Sequence, residues 1–421
     1  MQPVVVIGGG VIGLCSAFAL RQRGVPVIVY AGVAPEQAAS HVNAGWIVPT
    51  LSEPVPAPGL IATSLRWMLR SDSPLYIDPR LLRQPEFLRW TLRFWQHCNA
   101  TDYAAGMLAT AAFGARSFAL YDALRAGGVE YEEHRDGLLF AYRSAETLAQ
   151  DYAALEPIRS FGFEMTPILS GGAVRDLEPA LSEAVTGGYW LPQERTVRPD
   201  TLVQGLRAAL KQHDVEIRDV RVTGIETSGN RGTAVFAEGN RQPASQIVVA
   251  AGAWTADLLR PLRVPVPVTA GKGYSIDLAP QPLAEPVRRP LYLHETRVAI
   301  TPMNGMIRLA GTMEFSGINH TLRRERVAAI ASNAAWALRG WPDPTPTSGP
   351  GVRVWTGMRP MTPDGLPVIG WLPGYRDIAI ASGHAMMGVT LAPATGETVA
   401  DLLTTGVLPE LAQPFDPARF A

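Results

Sequence analysis

The amino-acid sequence predicts an α/β fold that opens on a parallel βαβ unit, completed by segments far along the chain. Three stretches carry that reading: VVVIGGGVIGLCSAFALRQRGVPVIVYAG (4–32), QIVVAAGAW (246–254) and ASGHAMMGVTLAPATGETVADLL (381–403). The first passes from a buried apolar strand through a glycine turn into helix formers from Leu14 to Arg23. Gly24 ends them as a C-cap, and VPVIVY is the second strand. The second stretch is a buried strand ending in a small-residue turn. The third reads strand, glycine loop, and a helix starting near Gly388.

Between these lie the remaining elements. Residues 45–59 (GWIVPTLSEPVPAPG) are proline-rich and lack a helical period, and residues 60–97 turn helical, with Trp67, Trp90, Phe94 and Trp95 among Arg66, Arg70, Arg89 and Arg93. Within 84–98, Phe87, Trp90, Thr91, Phe94 and Cys98 share one face. That face suits ordinary packing, a subunit contact or a membrane surface. GLLFAY (137–142) and GGYWLP (187–192) read as strands around a helix over 145–161. A helix begins near Pro199 and Asp200, and VEIRDVRVTGIE (215–226) follows as strand. Residues 355–370 are dense in turn formers around Arg359, and proline-rich joints at 261–267, 280–290 and 342–350 divide interleaved segments.

Length and charge narrow the function classes. A chain of 421 residues has room for two domains, and a net charge of −1 gives no electrostatic footprint for nucleic acid. Cys15 and Cys98 form no metal pattern, so no metal is expected, and a reduced cytoplasmic setting suits them. The first apolar run leads straight into the glycine loop without a charged leader, and no run reaches the ~20 residues of a membrane span.

Gly8, Gly10 and Gly13 have the dinucleotide-binding spacing. The first allows the tight turn, the second lets backbone N–H groups approach a pyrophosphate, and the third lets helix pack on strand. The acid expected at the end of the second strand is replaced by Ala31, leaving Glu36 as a partner for the ribose. The loop alone does not say which dinucleotide is bound.

Together with SHVNAGWIVP (40–49), GKGYSIDL (271–278), WTGMRPMTPDGLPVIG (355–370) and SGHAMMGVTLAPATG (382–396), the glycine loop resembles the FAD-dependent oxidoreductases of the D-amino-acid oxidase superfamily. The likeness is nearest to bacterial D-amino-acid dehydrogenases, with glycine and sarcosine oxidases further off. It implies FAD bound by a Rossmann-like domain (1–55, 196–262 and 353–421). An α+β substrate domain on a mixed, largely antiparallel sheet (56–195 and 263–352) interleaves with it. It implies oxidation of a D-amino acid to a 2-oxo acid and ammonia by hydride transfer from Cα to flavin N5. Electrons would pass to a quinone or another acceptor, with a peripheral membrane contact through 60–97. An oxygen-using oxidase, a D-hydroxyproline dehydrogenase and a flavin-binding subunit stay open, as does the oligomeric state.

Residue by residue, the resemblance places Gly8, Gly10, Val11, Ile12 and Gly13 at the pyrophosphate and Ser40, Asn43, Ala44 and Gly45 along the flavin edge. Val222 falls at the adenine, and Ala251, Gly252 and Trp254 at a second close backbone approach. Gly383, His384, Gly388, Val389 and Thr390 fall near the ring. Arg359 matches the arginine expected to anchor the substrate carboxylate, since paired guanidinium donors fit a carboxylate best. Tyr274 and His384 join it as catalytic candidates. Met313, Met386 and Met387 would line a roomier, more apolar pocket, because Ala299 stands where relatives carry a tyrosine and Met386 where some carry an arginine. Lys272 is one of only two lysines in an arginine-dominated chain.

Overall fold

Uninterrupted β-branched runs make strands that are buried on both faces, and such strands assemble into parallel sheets. Val4–Ile7, Val27–Tyr30, Gln246–Val249 and Ile378–Ser382 are of this kind. In the structure, a computed structural model describing residues 2–32, 38–61, 64, 73, 75–279, 285–342 and 345–421, they form a six-stranded sheet. Its order is 216–218, 27–30, 4–7, 246–249, 378–382, 368–371, and only the last strand runs antiparallel to its neighbour.

Helices Val11–Gln22 and Gly388–Thr405 pack together on this sheet. A Cβ on Gly396 would lie 2.6 Å from the Cys15 carbonyl oxygen, so the contact needs a glycine. Pro393, inside the second helix, has no N–H for the Val389 carbonyl. The buried Tyr121 hydroxyl donates to that carbonyl instead, at 2.7 Å.

The second sheet has its order as 352–361, 269–278, 306–315, 298–303, 291–293, 138–142, 187–191, 169–170, with 75–77 paired to 306–315. Most pairs are antiparallel; 291–293 with 138–142 and 75–77 with 306–315 are parallel. This is the expected α/β architecture with a mixed, largely antiparallel second sheet.

Four local expectations need correction. Residues 355–370 are not mainly turn: Val352–Met361 is a ten-residue strand, and Arg359 sits near its end. The stretch 215–226 divides into Glu216–Arg218, at the edge of the parallel sheet, and Val222–Ser228, in a three-stranded meander. The helix over 145–161 ends at Ala154, and Pro157 falls in a separate 3-10 segment, Glu156–Phe161. Of 60–97, residues 62–63, 65–72 and 74 lie outside the described residues. Beyond them come a strand (Leu75–Ile77) and a helix (Pro85–His97).

Candidate active site

One continuous cavity of about 1470 Å³ runs from the glycine loop to Arg359. Small-molecule pockets usually occupy roughly 300–1,000 Å³, so this one has space for an elongated ligand and a second molecule. At the glycine loop its wall is backbone. Gly8 has φ +139°, and a Cβ there would lie 2.1 Å from the Ala250 carbonyl oxygen. Gly13 does not line the cavity; its missing side chain lets the helix rest on the Gly8 carbonyl, 2.0 Å from where a Cβ would be. Gly8, Gly10, Val11 and Ile12 do line it, and the Val11 N–H donates to Ser40 Oγ at 3.1 Å. The first N–H groups of a helix have no intrahelical acceptor and favour anions. Two helix starts therefore meet this cavity, at Val11 and at Gly388.

Elsewhere in the lining, Arg359 is placed by three features. Across the sheet it pairs with Gly271, and its guanidinium lies over Gly273, where a Cβ would come within 2.4 Å of Cζ and both Nη atoms. The neighbouring strand bulges so that Thr312 and Met313 together face Gly273. Thr312 takes φ +57°, and its carbonyl accepts from Arg359 Nη1 at 2.8 Å. Among the described residues no carboxylate pairs with Arg359, and burial pushes its pKa down to about 10. A guanidinium so placed is desolvated, oriented, and unpaired.

The family model described as FAD dependent oxidoreductase matches residues 3–402. The chain belongs to that family. It is similar to the D-amino acid dehydrogenases of Rhizorhabdus wittichii (32% identical over 411 residues, 95% of each chain) and Methylobacterium radiotolerans (33% over 424 residues, 97% of each). Among solved structures, glycine oxidase from Geobacillus kaustophilus shares the fold with a TM-score of 0.76, at 23% identity over 99% of this chain and 98% of that one.

FAD, the cofactor of this family, fits the cavity: the backbone cradle at Gly8, the two helix starts and the volume suit its diphosphate and its length. Ser40, Asn43, Ala44, Val222, Ala251, Gly252, Trp254, His384, Gly388 and Val389 all line it. Gly45, Gly383 and Thr390 stand behind the lining. Gly45 (φ +78°) donates its N–H to Asn43 Oδ1 at 2.7 Å, and Thr390 Oγ1 accepts from the Val48 N–H at 3.0 Å. Gly383 turns the chain at φ +76°. For the ribose, Glu36 lies outside the described residues, and Ala31 packs beside Gly9. The fold brings Arg207, Arg221 and Thr223 to that part of the wall, so side chains from distant segments stand where the acid is missing.

Two catalytic candidates change character. Tyr274 is among the residues that line the cavity, but it alternates with Gly273 along its strand and its ring packs in the core on the sheet's far face. Its hydroxyl donates to Glu314 at 2.7 Å, away from the Arg359 guanidinium. The buried Lys272 pairs with the same carboxylate at 2.9 Å and donates to Asn319 Oδ1 at 2.8 Å. Both residues thus tie down the 314–321 segment. His384 does line the cavity, but Nε2 is engaged with Thr395 Oγ1 at 2.9 Å and Nδ1 has no partner among the described residues. Burial pushes its pKa down to about 3, so the ring is neutral at ordinary pH and adds no charge beside FAD.

The methionines Met313, Met386 and Met387 all reach the cavity, and Phe87, Trp90 and Phe315 extend the apolar wall. Sequence reasoning missed a polar part of the lining, where Glu53, Tyr103, Asp151, Tyr292 and Arg297 face the same space. It also missed the clamp on the FAD-edge loop. Arg308 and Asp277 form a buried two-point ion pair (2.6 and 2.8 Å), and Trp355 Nε1 donates to Asp277 at 2.7 Å. Arg308 Nη1 then donates to the Asn43 carbonyl at 2.9 Å and the His41 carbonyl at 3.4 Å.

Proposed function

We propose that this chain oxidises D-amino acids to 2-oxo acids and ammonia, with Arg359 as the carboxylate anchor. The observation that carries the reading is the Arg359 guanidinium in the cavity, which among the described residues has no carboxylate partner. Bound FAD supplies a two-electron acceptor for the α-hydrogen with its electron pair. The chain's own part is orientation: paired donors fix the carboxylate plane, and holding reacting groups within about 3–3.5 Å replaces acid–base machinery once the amine is neutral. The imine released is hydrolysed by water. The Gly388 helix start lines the cavity, and its N–H end would favour negative charge on a bound group.

The test is anaerobic. D-amino acids are expected to bleach the yellow of the purified holoenzyme within the mixing time of a turnover experiment, and their L-enantiomers at least a hundredfold more slowly. Bleaching by neither, or by L-forms alone, sinks the proposal.

Transfer of electrons to a quinone rather than oxygen, at a membrane surface, belongs to the same reading. The aromatic face of the Pro85–His97 helix is core: Phe87 and Trp90 are buried against Phe315. It is Leu88, Leu92 and Trp95, one helical stripe, together with Leu82, that stand in solvent, flanked by the exposed Arg80, Arg83, Arg89 and Arg93. Leu88, Leu92 and Trp95 also line the cavity mouth, an entry suited to an apolar acceptor. Among the described residues no helix is long and apolar enough to cross a membrane, so any such contact is superficial. Purified protein is expected to float with anionic liposomes, and Leu88→Glu/Leu92→Glu to remain at the bottom of the gradient. Wild-type protein that stays with the soluble fraction at low salt removes the membrane contact from the reading.

A further inference from the structure

Near Arg359 the cavity lining holds a further guanidinium. Arg297 lines the same cavity as Arg359, and among the described residues no carboxylate lies within ion-pair distance of it. The two arginines are rooted close together. The Arg297 carbonyl sits 3.1 Å from where a Gly311 Cβ would be, and the next residue, Thr312, holds Arg359 Nη1 by its carbonyl. Arg297 occupies the left-handed region (φ +55°) at the end of the turn His294–Thr296, a conformation that a non-glycine residue holds only under constraint.

Its partners fix its direction. Nη1 donates to Tyr292 Oη at 3.5 Å and contacts His294 Nε2, while His294 Nδ1 contacts Asp151. Arginine only donates, so Nε2 accepts and a neutral ring carries its proton on Nδ1, the atom in contact with Asp151. The chain Asp151–His294–Arg297 therefore orients the guanidinium and leaves donors for the cavity. Asp151 and Glu53 act on Arg297 electrostatically without bonding to it and offset its charge. Glu53 and the Tyr292 hydroxyl add acceptors to the same part of the lining. The result is a set of donors and acceptors with little net positive field.

Resting on the D-amino-acid reading, we infer that Arg297 and Tyr292 form a side-chain subsite for D-amino acids bearing an uncharged oxygen, a hydroxyl or a carboxamide. Such groups both accept and donate, and they match this wall better than a carboxylate, which Glu53 and Asp151 would repel, or an alkyl group, which would leave the wall's polar groups unpaired.

Isosteric pairs test it: D-threonine against D-valine and D-asparagine against D-leucine, read as ratios of anaerobic flavin-reduction efficiency in the holoenzyme. Wild-type ratios of about ten to a hundred in favour of the polar member are expected, the range for a hydrogen bond to a charged donor. Arg297→Met is expected to bring both ratios near one, and Arg297→Lys to restore part of the preference. A wild-type preference for the alkyl member overturns the inference whatever the variants do, as does a ratio unchanged in Arg297→Met with full FAD content. Equal reduction by both members overturns it while leaving D-amino-acid oxidation standing; reduction by no D-amino acid overturns both.

Discussion

Replacing Arg359 with alanine is expected to raise the KM for a D-amino acid by two to three orders of magnitude while FAD remains bound at full occupancy. Charge-assisted bonds to a desolvated carboxylate contribute about 2–5 kcal/mol when one partner is removed, or roughly 1.5 to 3.7 orders of magnitude, which brackets that range. FAD retention follows from geometry: the cradle at Gly8 and the two helix starts make no use of Arg359, whose Nη1 donates to the Thr312 carbonyl at 2.8 Å and to Met313 Sδ at 3.7 Å. The fold should survive as well, because the space vacated over Gly273 opens into the cavity, where water can reach the freed carbonyl. Arg359→Lys should fall between the two, since an ammonium supplies charge without the paired, planar donors. Steady-state kinetics with flavin absorbance in parallel gives both readouts. An unchanged KM would assign the anchor elsewhere, with Arg297 as the next guanidinium in the same cavity.

What was legible in the sequence was local. Gly8, Gly10 and Gly13 act within one turn of chain, and the helix start at Gly388 follows directly from its glycine loop, so spacing alone placed them. Arg359 was found through resemblance, yet its strand was not, because Gly357, Pro360, Pro363 and Gly365 carry turn composition into a segment that pairing with 269–278 holds extended. That pairing also explains Tyr274. GKGYS alternates with period two, and whichever face receives Arg359 over Gly273 must turn Lys272 and Tyr274 the other way. The alternation was visible; the cross-strand partner that orients it was not. The aromatic stripe 87–94 was correctly seen as a face, but only the contact with Phe315, more than two hundred residues on, shows it to be core. The Arg297 wall and the Arg308 clamp join segments that no spacing rule connects.

That clamp supports the second large effect. Arg308→Leu is expected to lower stability by about 3–5 kcal/mol, because it leaves Asp277 charged, buried and without its cation. Thermal unfolding of the apoprotein should show a drop of roughly three to six degrees. Stability is only half of the expectation, since Arg308 also holds the Asn43 and His41 carbonyls, and with them the Ser40–Gly45 turn at the FAD edge. The two roles separate in the double variant Asp277→Asn/Arg308→Leu. Asparagine removes the stranded charge and still offers an oxygen to Trp355 Nε1, so most of the lost stability should return. The loop carbonyls stay unheld in either variant, and the apoprotein's Kd for FAD should remain raised at least tenfold in both. Were FAD affinity to recover together with stability, Arg308 would be a structural ion pair and no positioning residue, and the loop would owe its shape to the Asn43 turn alone.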